Sequence, residues 1–295
     1  MAEDLFIGVD GGGSQCRARL RDASGALLGE GAGGPANARL RETAFNSVMA
    51  ACRQALTVAG FGEADLGRVH AGFGLAGTQQ DEDLQAVQAW PHPFASMVVD
   101  TDAYAAWLGA FGGRDGAILI LGTGAAGTAV VKGKRVNVGG WGAEIADEGS
   151  GMAIGLAAIR RSLWALEGMA PLTPLAEDVL SVFDRDPQKM VVWAGTATPG
   201  DFGSFAPRVF THAVKRDVLA VPILLEAAAD ASRMINRLLD LGAPAVAMIG
   251  GIFPHLLPWL PPVLWPFLVA PEADAVDGAI LMARRAQQGI GTDRP

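Results

Sequence analysis

Two glycine-rich turns, one in each half of the chain, are the residues best suited to chemistry. One lies in residues 5–21 (LFIGVDGGGSQCRARLR) and the other in residues 117–131 (AILILGTGAAGTAVV). In each, an apolar run ends in closely spaced glycines with a hydroxyl residue, Ser14 or Thr123, and a second extended run follows. Glycines let successive backbone N–H groups converge on one point, which forms an anion-binding nest. The repeated turn therefore predicts phosphate binding.

The residues after each turn indicate which phosphate-binding loop this is. A Rossmann or Walker loop opens a helix whose N-terminus meets the phosphate. After Gly13, small or apolar residues alternate with arginines as in a strand, and no lysine follows in the GK[ST] form of a Walker loop. A single glycine-rich hairpin would also fit an ordinary tight β-turn. Two copies, the first led by Asp10, favour phosphate binding.

Asp102 is the candidate for acid–base chemistry. It stands in DTDAY, at residues 100–104, after a predicted strand and at the start of a predicted helix. Open α/β sheets place ligands at this carboxyl edge, where a carboxylate can act as a general base. Aspartate is also a preferred helix N-cap, so the residues alone leave both roles open.

Composition limits the classes of partner. The chain has 295 residues, enough for two domains, and its 50% apolar and 18% charged residues are typical of a globular protein. Its 31 acidic residues exceed its 23 basic ones, which argues against a nucleic-acid or anionic-membrane surface. The beginning, MAEDLFIGVD, lacks a basic region, so we expect no signal peptide and a cytoplasmic protein.

The two cysteines and one long apolar stretch need separate interpretation. Cys16 and Cys52 do not form a CxxC pair, and we expect both to be buried as small hydrophobic residues in a reducing compartment. Residues 241–271 contain no Asp, Glu, Lys or Arg, yet seven prolines there exclude a membrane-spanning helix. We predict strands at 245–249 and 267–270, joined by a proline-rich connection.

The remaining elements are predicted in one order that occurs twice. In the first half, strands at 6–9, 16–21, 27–31, 69–74 and 97–99 accompany helices at 38–59 and 79–89 and from 103 on. In the second half, strands at 118–121, 128–131 and 135–138 precede helices at 151–165, 174–183, 205–215 and 218–241. The last helix, 275–288, is expected to pack back on the first domain. The repeat predicts two related α/β domains around a cleft.

These motifs resemble the sugar kinase, Hsp70 and actin superfamily. Within it they are similar to the BadF/BadG/BcrA/BcrD ATPase and N-acetylglucosamine kinase group, and to bacterial glucosamine kinases. The resemblance covers nearly the whole chain, and its order and spacing make it specific. The matching motifs are GVDGGGS (8–14), GPANA (34–38), GLAG (74–77), HPFAS (92–96), DTDAY (100–104), LGTG (121–124), GGWG (139–142), ADEGSG (146–151), DFGSFAPRVFTHA (201–213) and IGGI (249–252).

The resemblance implies a fold, an activity and an assembly. The fold is α/β, with two related ribonuclease H-like (actin-like ATPase) domains around an ATP and sugar cleft. The N-terminal domain would span 1–112 and the C-terminal domain 113–273, with the helix at 274–290 packing on the first. The activity is ATP-dependent phosphorylation of the 6-hydroxyl of glucosamine or N-acetylglucosamine by a cytoplasmic homodimer that binds neither nucleic acid nor membranes.

The resemblance also assigns the nucleotide site. The first loop would hold the β and γ phosphates of ATP, with Asp10 orienting Mg²⁺ through water, and the second loop would hold the phosphates from the facing domain. Phosphoryl transfer needs positioning and charge neutralisation, which such loops supply. Gly250 and Gly251 would pass close to adenosine, although a plain strand-to-helix turn is the alternative. The implied nucleotide contacts are Asp10, Gly11, Gly12, Gly13, Ser14, Gly122, Thr123, Gly124, Gly250 and Gly251.

The sugar site is implied in the same way, with Asp102 rather than Asp100 as the base. The implied sugar contacts are Asn37, Asp102, Gly140, Trp141, Gly142 and Asp147, with Glu148 and Ser150 as weaker candidates. Apart from the resemblance, Trp141 would be a core aromatic residue and residues 147–148 a helix-capping pair.

Three positions bear on how far the resemblance extends. Ser14 replaces the usual Thr, Ala125 replaces the usual Ser, and Trp141 is typical of N-acetylglucosamine kinases rather than glucosamine kinases. A glucosamine ammonium would need a carboxylate such as Asp147 or Glu144, whereas an N-acetyl group would need an apolar slot. The choice of amino sugar therefore stays open.

Two other classes share these nucleotide loops. One is an ATPase that activates a dehydratase through an iron–sulfur cluster held by dedicated cysteines. The expected positions of Cys16 on a strand and Cys52 on a helix argue against this class. The other is a sugar sensor without turnover. Transcriptional relatives carry an additional helix-turn-helix, for which we expect no room before the first strand.

Overall fold

Two five-stranded sheets with the same strand order organise the chain. The computed structural model describes residues 4–143 and 145–291. The first sheet has the order β3-β2-β1-β4-β5. Its strands are β1 (Leu5–Gly11), β2 (Cys16–Asp22), β3 (Leu27–Gly33), β4 (Val69–Leu75) and β5 (Ser96–Asp100).

The register of the first sheet brings two strand ends together. β1 pairs antiparallel with β2 and parallel with β4, and β4 pairs parallel with β5. Asp10 pairs with Gly74, and Gly74 pairs with Asp100. The glycine loop after β1 and the turn after β5 therefore leave the sheet at the same edge, which is where open α/β sheets bind ligands.

The second sheet repeats this arrangement with the order β10-β9-β6-β7-β8. Position by position, β6, β7, β8, β9 and β10 correspond to β1, β2, β3, β4 and β5. Its strands are β6 (Gly116–Leu121), β7 (Ala125–Val131), β8 (Lys134–Gly139), β9 (Val246–Ile249) and β10 (Leu268–Val269). The shared order confirms the predicted pair of ribonuclease H-like domains.

Helices cover the first sheet because their apolar residues recur at helical spacing. In α1 (Glu42–Val58) the buried residues Ala44, Val48, Cys52 and Ala55 fall on one stripe. The 3-10 turns are Ala38–Leu40 and Glu63–Arg68, and the other helices of this half are α2 (Asp81–Gln88) and α3 (Asp102–Phe111). The predicted helix at 38–59 is therefore divided into a 3-10 turn and α1.

The second half contains more helices than the sequence predicted. They are α4 (Gly151–Leu166), α5 (Pro174–Ser181), α6 (Pro187–Ala194), α7 (Pro199–Gly203), α8 (Ala206–Val214), α9 (Ala220–Asp240), α10 (Phe253–Leu256) and α11 (Ala275–Gln287), with 3-10 turns at Leu257–Trp259 and Pro262–Phe267. The one-turn helix α10 lies in the stretch predicted as a proline-rich connection, and α6 and α7 were missed as well. Each begins with a proline after a capping Asp186 or Thr198, a start signal that short helices share with turns.

Backbone contacts divide the chain into two compact units. The first unit holds the described residues up to Ile118, Val130–Arg135 and those from Ala270 on. The second holds Leu119–Ala129 and Val136–Val269. Within the first unit, α11 packs against β1, β4 and α3. No helix in the described part of the chain is long and apolar enough to cross a membrane.

Both cysteines are buried in the first unit, as the sequence predicted. Cys16 is 1% exposed and Cys52 is fully buried. Burial raises the pKa of the Cys16 thiol to about 11 and also raises that of Cys52. Protonated, enclosed thiols are poor metal ligands, which argues against a cluster of the dehydratase-activator kind.

Candidate active site

The turn between β5 and α3 places Asp102 without using it as the helix cap. Thr101 is the N-cap, and its Oγ1 accepts the N–H of Tyr104 at 3.1 Å. Asp102 is the first residue of α3, and its Oδ1 accepts the N–H of Ala103 at 2.9 Å. The capping interpretation of Asp102 is therefore wrong, because the neighbouring threonine already caps the helix.

The surroundings of Asp102 favour a carboxyl group that can take up a proton. The residue is half-buried. Burial raises the pKa of its carboxyl to about 6, and the charge of Asp10 acts in the same direction. At the end of β4, a Cβ on Gly74 would lie 2.4 Å from the Cβ of Ala105, so α3 can approach the sheet only beside a glycine.

Asp100 is the second carboxylate near this turn, and it forms a buried ion pair with Arg135. Its two oxygens accept hydrogen bonds from Arg135 Nη1 at 2.8 Å and Nη2 at 3.0 Å. Asp100 is fully buried, so its carboxylate cannot reach a ligand. Of the two aspartates, Asp102 is the one that is partly exposed. Arg135 is a residue that sequence reasoning missed.

The first glycine loop is a tight hairpin held from both sides by backbone hydrogen bonds. Gly12 donates its N–H to the carbonyl of Gln15 at 3.0 Å. The N–H of Ala36 reaches the Gly12 carbonyl at 2.9 Å, and the N–H of Ala76 reaches the Gly11 carbonyl at 2.8 Å. Two sequence motifs, GPANA and GLAG, therefore support this loop. At its tip, Gly13 and Ser14 are exposed, and a Cβ on Gly13 would meet no described atom within 4 Å.

Asn37 lies in the GPANA segment that supports this loop. Its side-chain oxygen accepts the N–H of Arg39 at 3.0 Å and caps the following 3-10 turn. Gly77 approaches it so closely that an added Cβ would lie 2.3 Å from that oxygen. Asn37 is half-buried and fixed, which leaves its amide N–H groups to donate to a ligand.

The second glycine loop is anchored to a helix N-terminus. The N–H of Gly122 donates to the carbonyl of Gly124 at 3.0 Å. The first N–H groups of α4, from Gly151 and Met152, donate to the carbonyls of Gly122 and Thr123 at 2.8 and 3.1 Å. The loop carbonyls thereby use helix donors that have no partner within the helix.

Asp147 also fixes the second loop. Its Oδ1 accepts the N–H of Ala125 at 3.0 Å, and its backbone adopts a left-handed φ of 71°. The N-cap of α4 is Ser150, which is fully buried and accepts the N–H of Ala153 at 3.2 Å. The interpretation of residues 147–148 as a helix-capping pair is therefore wrong, and Ser150 is not exposed to a ligand.

Trp141 lies on the surface. It is 73% exposed, so the interpretation of this residue as a core aromatic is wrong. The preceding Gly140 donates its N–H to the carbonyl of Ala125 at 3.0 Å, which connects the GGWG turn to the second glycine loop. Gly142 has a φ of 96° and accepts the N–H of Ala146 at 2.8 Å. Glu144 lies outside the described residues.

A cavity within the second unit opens beside the second glycine loop. It has a volume of about 340 Å³. Glycines from four segments line it, and they leave room for a ligand close to the backbone. The lining residues are Gly122, Thr123, Gly151, Gly200, Gly203, Gly251 and Ile252. Sequence reasoning missed Gly200 and Gly203, because the short helix α7 that carries them was not predicted.

Gly250 lets the chain pass directly against the second loop. Its φ is +104°, and a Cβ there would lie 2.2 Å from the Leu121 carbonyl oxygen. The following residues also stay close to the second loop, since the N–H of Ile252 donates to the Leu121 carbonyl oxygen at 3.1 Å. This junction between β9 and α10 brings Gly251 to the wall of the cavity.

Comparison with known proteins shows the family. The model of the BadF/BadG/BcrA/BcrD ATPase family matches residues 7–259. The chain belongs to this ATPase family.

Members and neighbours of this family include named kinases. A glucosamine kinase of Vibrio cholerae is 39% identical over 98% of this chain and 99% of its own length. An N-acetylmuramic acid/N-acetylglucosamine kinase of Clostridium acetobutylicum is 28% identical over 75% of each chain. A crystal structure from Chromobacterium violaceum, provisionally named an N-acetylglucosamine kinase, superposes with a TM-score of 0.89 at 34% identity, covering 95% of this chain and 99% of its own. The resemblance drawn from the sequence is thus confirmed.

The residues present fit the magnesium-bound nucleotide of an ATPase family. The open glycines of both loops and the cavity beside the second loop provide backbone surface for phosphates and a nucleoside. Within residues 4–143 and 145–291, no group of three or more His, Cys, Asp or Glu side chains is placed to hold a metal ion. Magnesium needs no such cage, because it keeps several waters and uses one or two carboxylates with the phosphates. Asp10, 25% exposed and paired with Arg17 at 2.8 Å, is the carboxylate of the first loop.

Proposed function

We propose that this protein is an ATP-dependent amino-sugar kinase. It transfers the γ-phosphoryl group of ATP to the 6-hydroxyl of glucosamine or N-acetylglucosamine. Membership of the ATPase family supports the nucleotide, and the glucosamine kinase of Vibrio cholerae supports the acceptor. The full coverage of that relative, 99% of its length, supports carrying the reaction as a whole to this chain.

The observation that carries the proposal is the contrast between Asp100, which ends β5, and Asp102, which begins α3. Asp100 is buried and paired with Arg135, while Asp102 is half-buried with a carboxyl pKa of about 6. A general base is most effective when its pKa lies near the working pH and its carboxylate can reach the substrate. Asp102 accepts the proton of the attacking hydroxyl as that oxygen bonds to the γ-phosphorus, and ADP departs with the electrons of the broken P–O bond.

The nucleotide is assigned to the two glycine loops and the cavity of the second unit. In the loops Gly11–Ser14 and Gly122–Gly124, the backbone N–H groups other than those of Gly12 and Gly122 donate to phosphate oxygens, and Asp10 orients magnesium through water. The cavity lined by Gly200, Gly203 and Gly251 receives the nucleoside, since glycine walls admit a flat base. When bound, ATP supplies the phosphoryl group and magnesium offsets its negative charge.

The proposed sugar contacts are Asn37 and Asp102 in the first unit, and Trp141 and Asp147 in the second unit. The amide N–H groups of Asn37 donate to a sugar hydroxyl. Asp147 already holds the second loop through one oxygen, so its other oxygen is the one offered to the substrate. The homodimer and the cytoplasmic location that the resemblance implies remain predictions.

A substrate panel tests the proposal. Purified protein with magnesium and ATP should release ADP when glucosamine or N-acetylglucosamine is added, and the ratio of the two kcat/KM values identifies the preferred sugar. Glucose, glycerol and a reaction without acceptor serve as controls. ADP release that does not increase when an amino sugar is added, or that is faster with glucose or glycerol, would refute the assignment.

A further inference from the structure

A buried ion pair flanks the turn that carries Asp102, and the proposed chemistry does not use it. Asp100, the last residue of β5, and Arg135 in β8 are 0% and 4% exposed and form two hydrogen bonds. Both charges lose their hydration at this depth, so a buried pair is weak evidence for a gain in stability. The pair therefore calls for a further role.

The pair fixes the backbone on both sides of Asp102. Before it, the Asp100 Oδ1 also accepts the N–H of Thr101 at 2.6 Å. After it, the guanidinium carbon of Arg135 lies 3.8 Å from the centroid of the Tyr104 ring. That ring stacks on Trp107, with the two centroids 5.4 Å apart. Asp102 thus lies between two segments that Arg135 holds, one through a carboxylate and one through a ring face.

The pair also separates the roles of the two carboxylates. Asp100 and Asp102 are one residue apart, and two neighbouring ionised carboxylates disfavour each other. Because Arg135 neutralises Asp100, Asp102 is the acidic group of this turn that remains available for proton transfer.

We propose that Arg135 is a positioning residue for the general base. Through its bidentate pair with Asp100 and its stacking on Tyr104, it fixes the β5–α3 turn so that Asp102 presents one orientation to the sugar hydroxyl. The inference rests on the proposed function. A displacement of about 1 Å at a reacting group can lower a rate by about a hundredfold, so a loosened turn should be visible in kcat.

The test is Arg135→Lys, which keeps the charge but loses the planar fork and the stacking surface. We expect kcat to fall at least about tenfold, while the KM values for ATP and the amino sugar change less than about threefold. ADP affinity, measured by calorimetry, should match that of the wild type. Arg114→Lys is the matched control, since Arg114 forms an exposed pair with Glu272 in the same unit and should keep its kcat.

A purely structural role predicts a different result. It would lower the Tm of Arg135→Lys but leave kcat per folded molecule unchanged, with the folded fraction measured by circular dichroism. A kcat within about twofold of wild type would overturn the proposal. Asp100→Asn provides a second variant, and the same loss of kcat at constant KM is expected from it.

If neither variant folds, hydrogen exchange on the wild-type protein tests whether the β5–α3 turn is held in place. The amide of Thr101 donates to the buried Asp100, so it should exchange as slowly as the amides of the core strands. Exchange as fast as in exposed turns would show a frayed segment and overturn the positioning role.

Failures of the two proposals can be told apart. Wild-type protein without amino-sugar-dependent ADP release overturns the function and this role with it. If Asp102→Asn keeps its turnover, the base assignment fails. If Asp102→Asn loses turnover while Arg135→Lys keeps it, the positioning role alone fails.

Discussion

The two glycine loops share a backbone plan but differ in what holds them and what they carry. The loop after β1 is led by Asp10 and stands at the same sheet edge as Asp102. The loop after β6 has no leading acid and is fixed by Asp147 and by the N-terminus of α4. The first loop shares its sheet edge with the carboxylate of Asp102, whereas the second loop borders a cavity.

This difference shows how an internal repeat can separate two tasks. The sheet order and the glycine turn are kept in both copies, because they build the anion-binding backbone. The side chains around the turns differ, and in the proposed function the first unit adds proton transfer by Asp102, while the second unit adds the cavity for the nucleoside. Substitutions in the first unit should therefore reduce kcat, and substitutions around the second loop should reduce nucleotide affinity.

The largest effect is expected from Asp102→Asn. Removal of the base should lower kcat by about 10²- to 10⁴-fold, because an amide cannot accept the hydroxyl proton. ADP affinity by calorimetry should be unchanged, since the nucleotide is assigned elsewhere. Asp240→Asn, on the exposed end of α9, is the control. If Asp102→Asn keeps near-wild-type turnover, Asp102 is not the general base.

Gly250→Ala should damage the second unit. The new Cβ would lie 2.2 Å from the Leu121 carbonyl oxygen at a φ of +104°, so either the backbone moves or strain accumulates. We expect a loss of about 2–3 kcal/mol in the free energy of unfolding and a clear drop in ADP affinity. Gly251→Ala, where a Cβ meets no described atom within 4 Å, should keep its stability. Equal stability of the two variants, measured by urea unfolding, would contradict the close approach seen here.

Asp147→Ala should loosen the second loop without touching the base. It removes the acceptor of the Ala125 N–H, and an unsatisfied buried donor costs about 1–3 kcal/mol. The KM for ATP should rise, and kcat at saturating substrates should fall less than in Asp102→Asn. Glu167→Ala, an exposed position at the end of α4 in the same unit, serves as the control. An unchanged KM for ATP would show that Asp147 does not support the nucleotide loop.

The smallest expected effect is the pH dependence of kcat/KM and of stability that the Asp102 carboxyl causes. Since the Asp102 carboxyl has a pKa of about 6, raised by burial, kcat/KM should fall as the pH drops through about 6. Its folded-state pKa lies above the unfolded value of 3.8, so the native state binds more protons between those pH values and loses stability as the pH rises through them. Asp102→Asn should therefore be more stable than wild type at pH 7.5, by about 1 kcal/mol after screening.

Thermal unfolding across pH checks this last prediction. The stability difference between Asp102→Asn and wild type should shrink as the pH falls toward 4. An acidic limb of kcat/KM well below pH 5, or a variant that is less stable than wild type at pH 7.5, would contradict the raised pKa of Asp102.

The sequence predicted those features that depend on local chemistry. The glycine turns, the meander of β1 to β3 and the carboxylate after β5 were all found from residue type and period. The role of Thr101 as N-cap was missed, because Thr and Asp are both good caps and only the observed hydrogen bond separates them.

The features that the sequence did not predict depend on contacts between distant residues. Arg135 and Asp100 are 35 positions apart, and nothing in either local pattern pairs them. Gly200 and Gly203 enter the cavity wall because α7 packs against α4, where a Cβ on Gly155 would lie 1.8 Å from the Phe202 carbonyl oxygen. Tertiary packing brings such distant residues together, and the hydrophobic periodicity of the sequence does not predict these contacts.

The central claim is that Asp102 prepares the 6-hydroxyl of an amino sugar for phosphoryl transfer, and the identity of the product tests it most directly. The wild-type reaction with ¹³C-labelled glucosamine or N-acetylglucosamine should be followed by NMR beside the Asp102→Asn reaction. We predict phosphorus coupling at C6 in the wild-type product and no detectable product from Asp102→Asn over the same time. Phosphate on another carbon, or the same 6-phosphate formed at an equal rate by Asp102→Asn, would contradict the account.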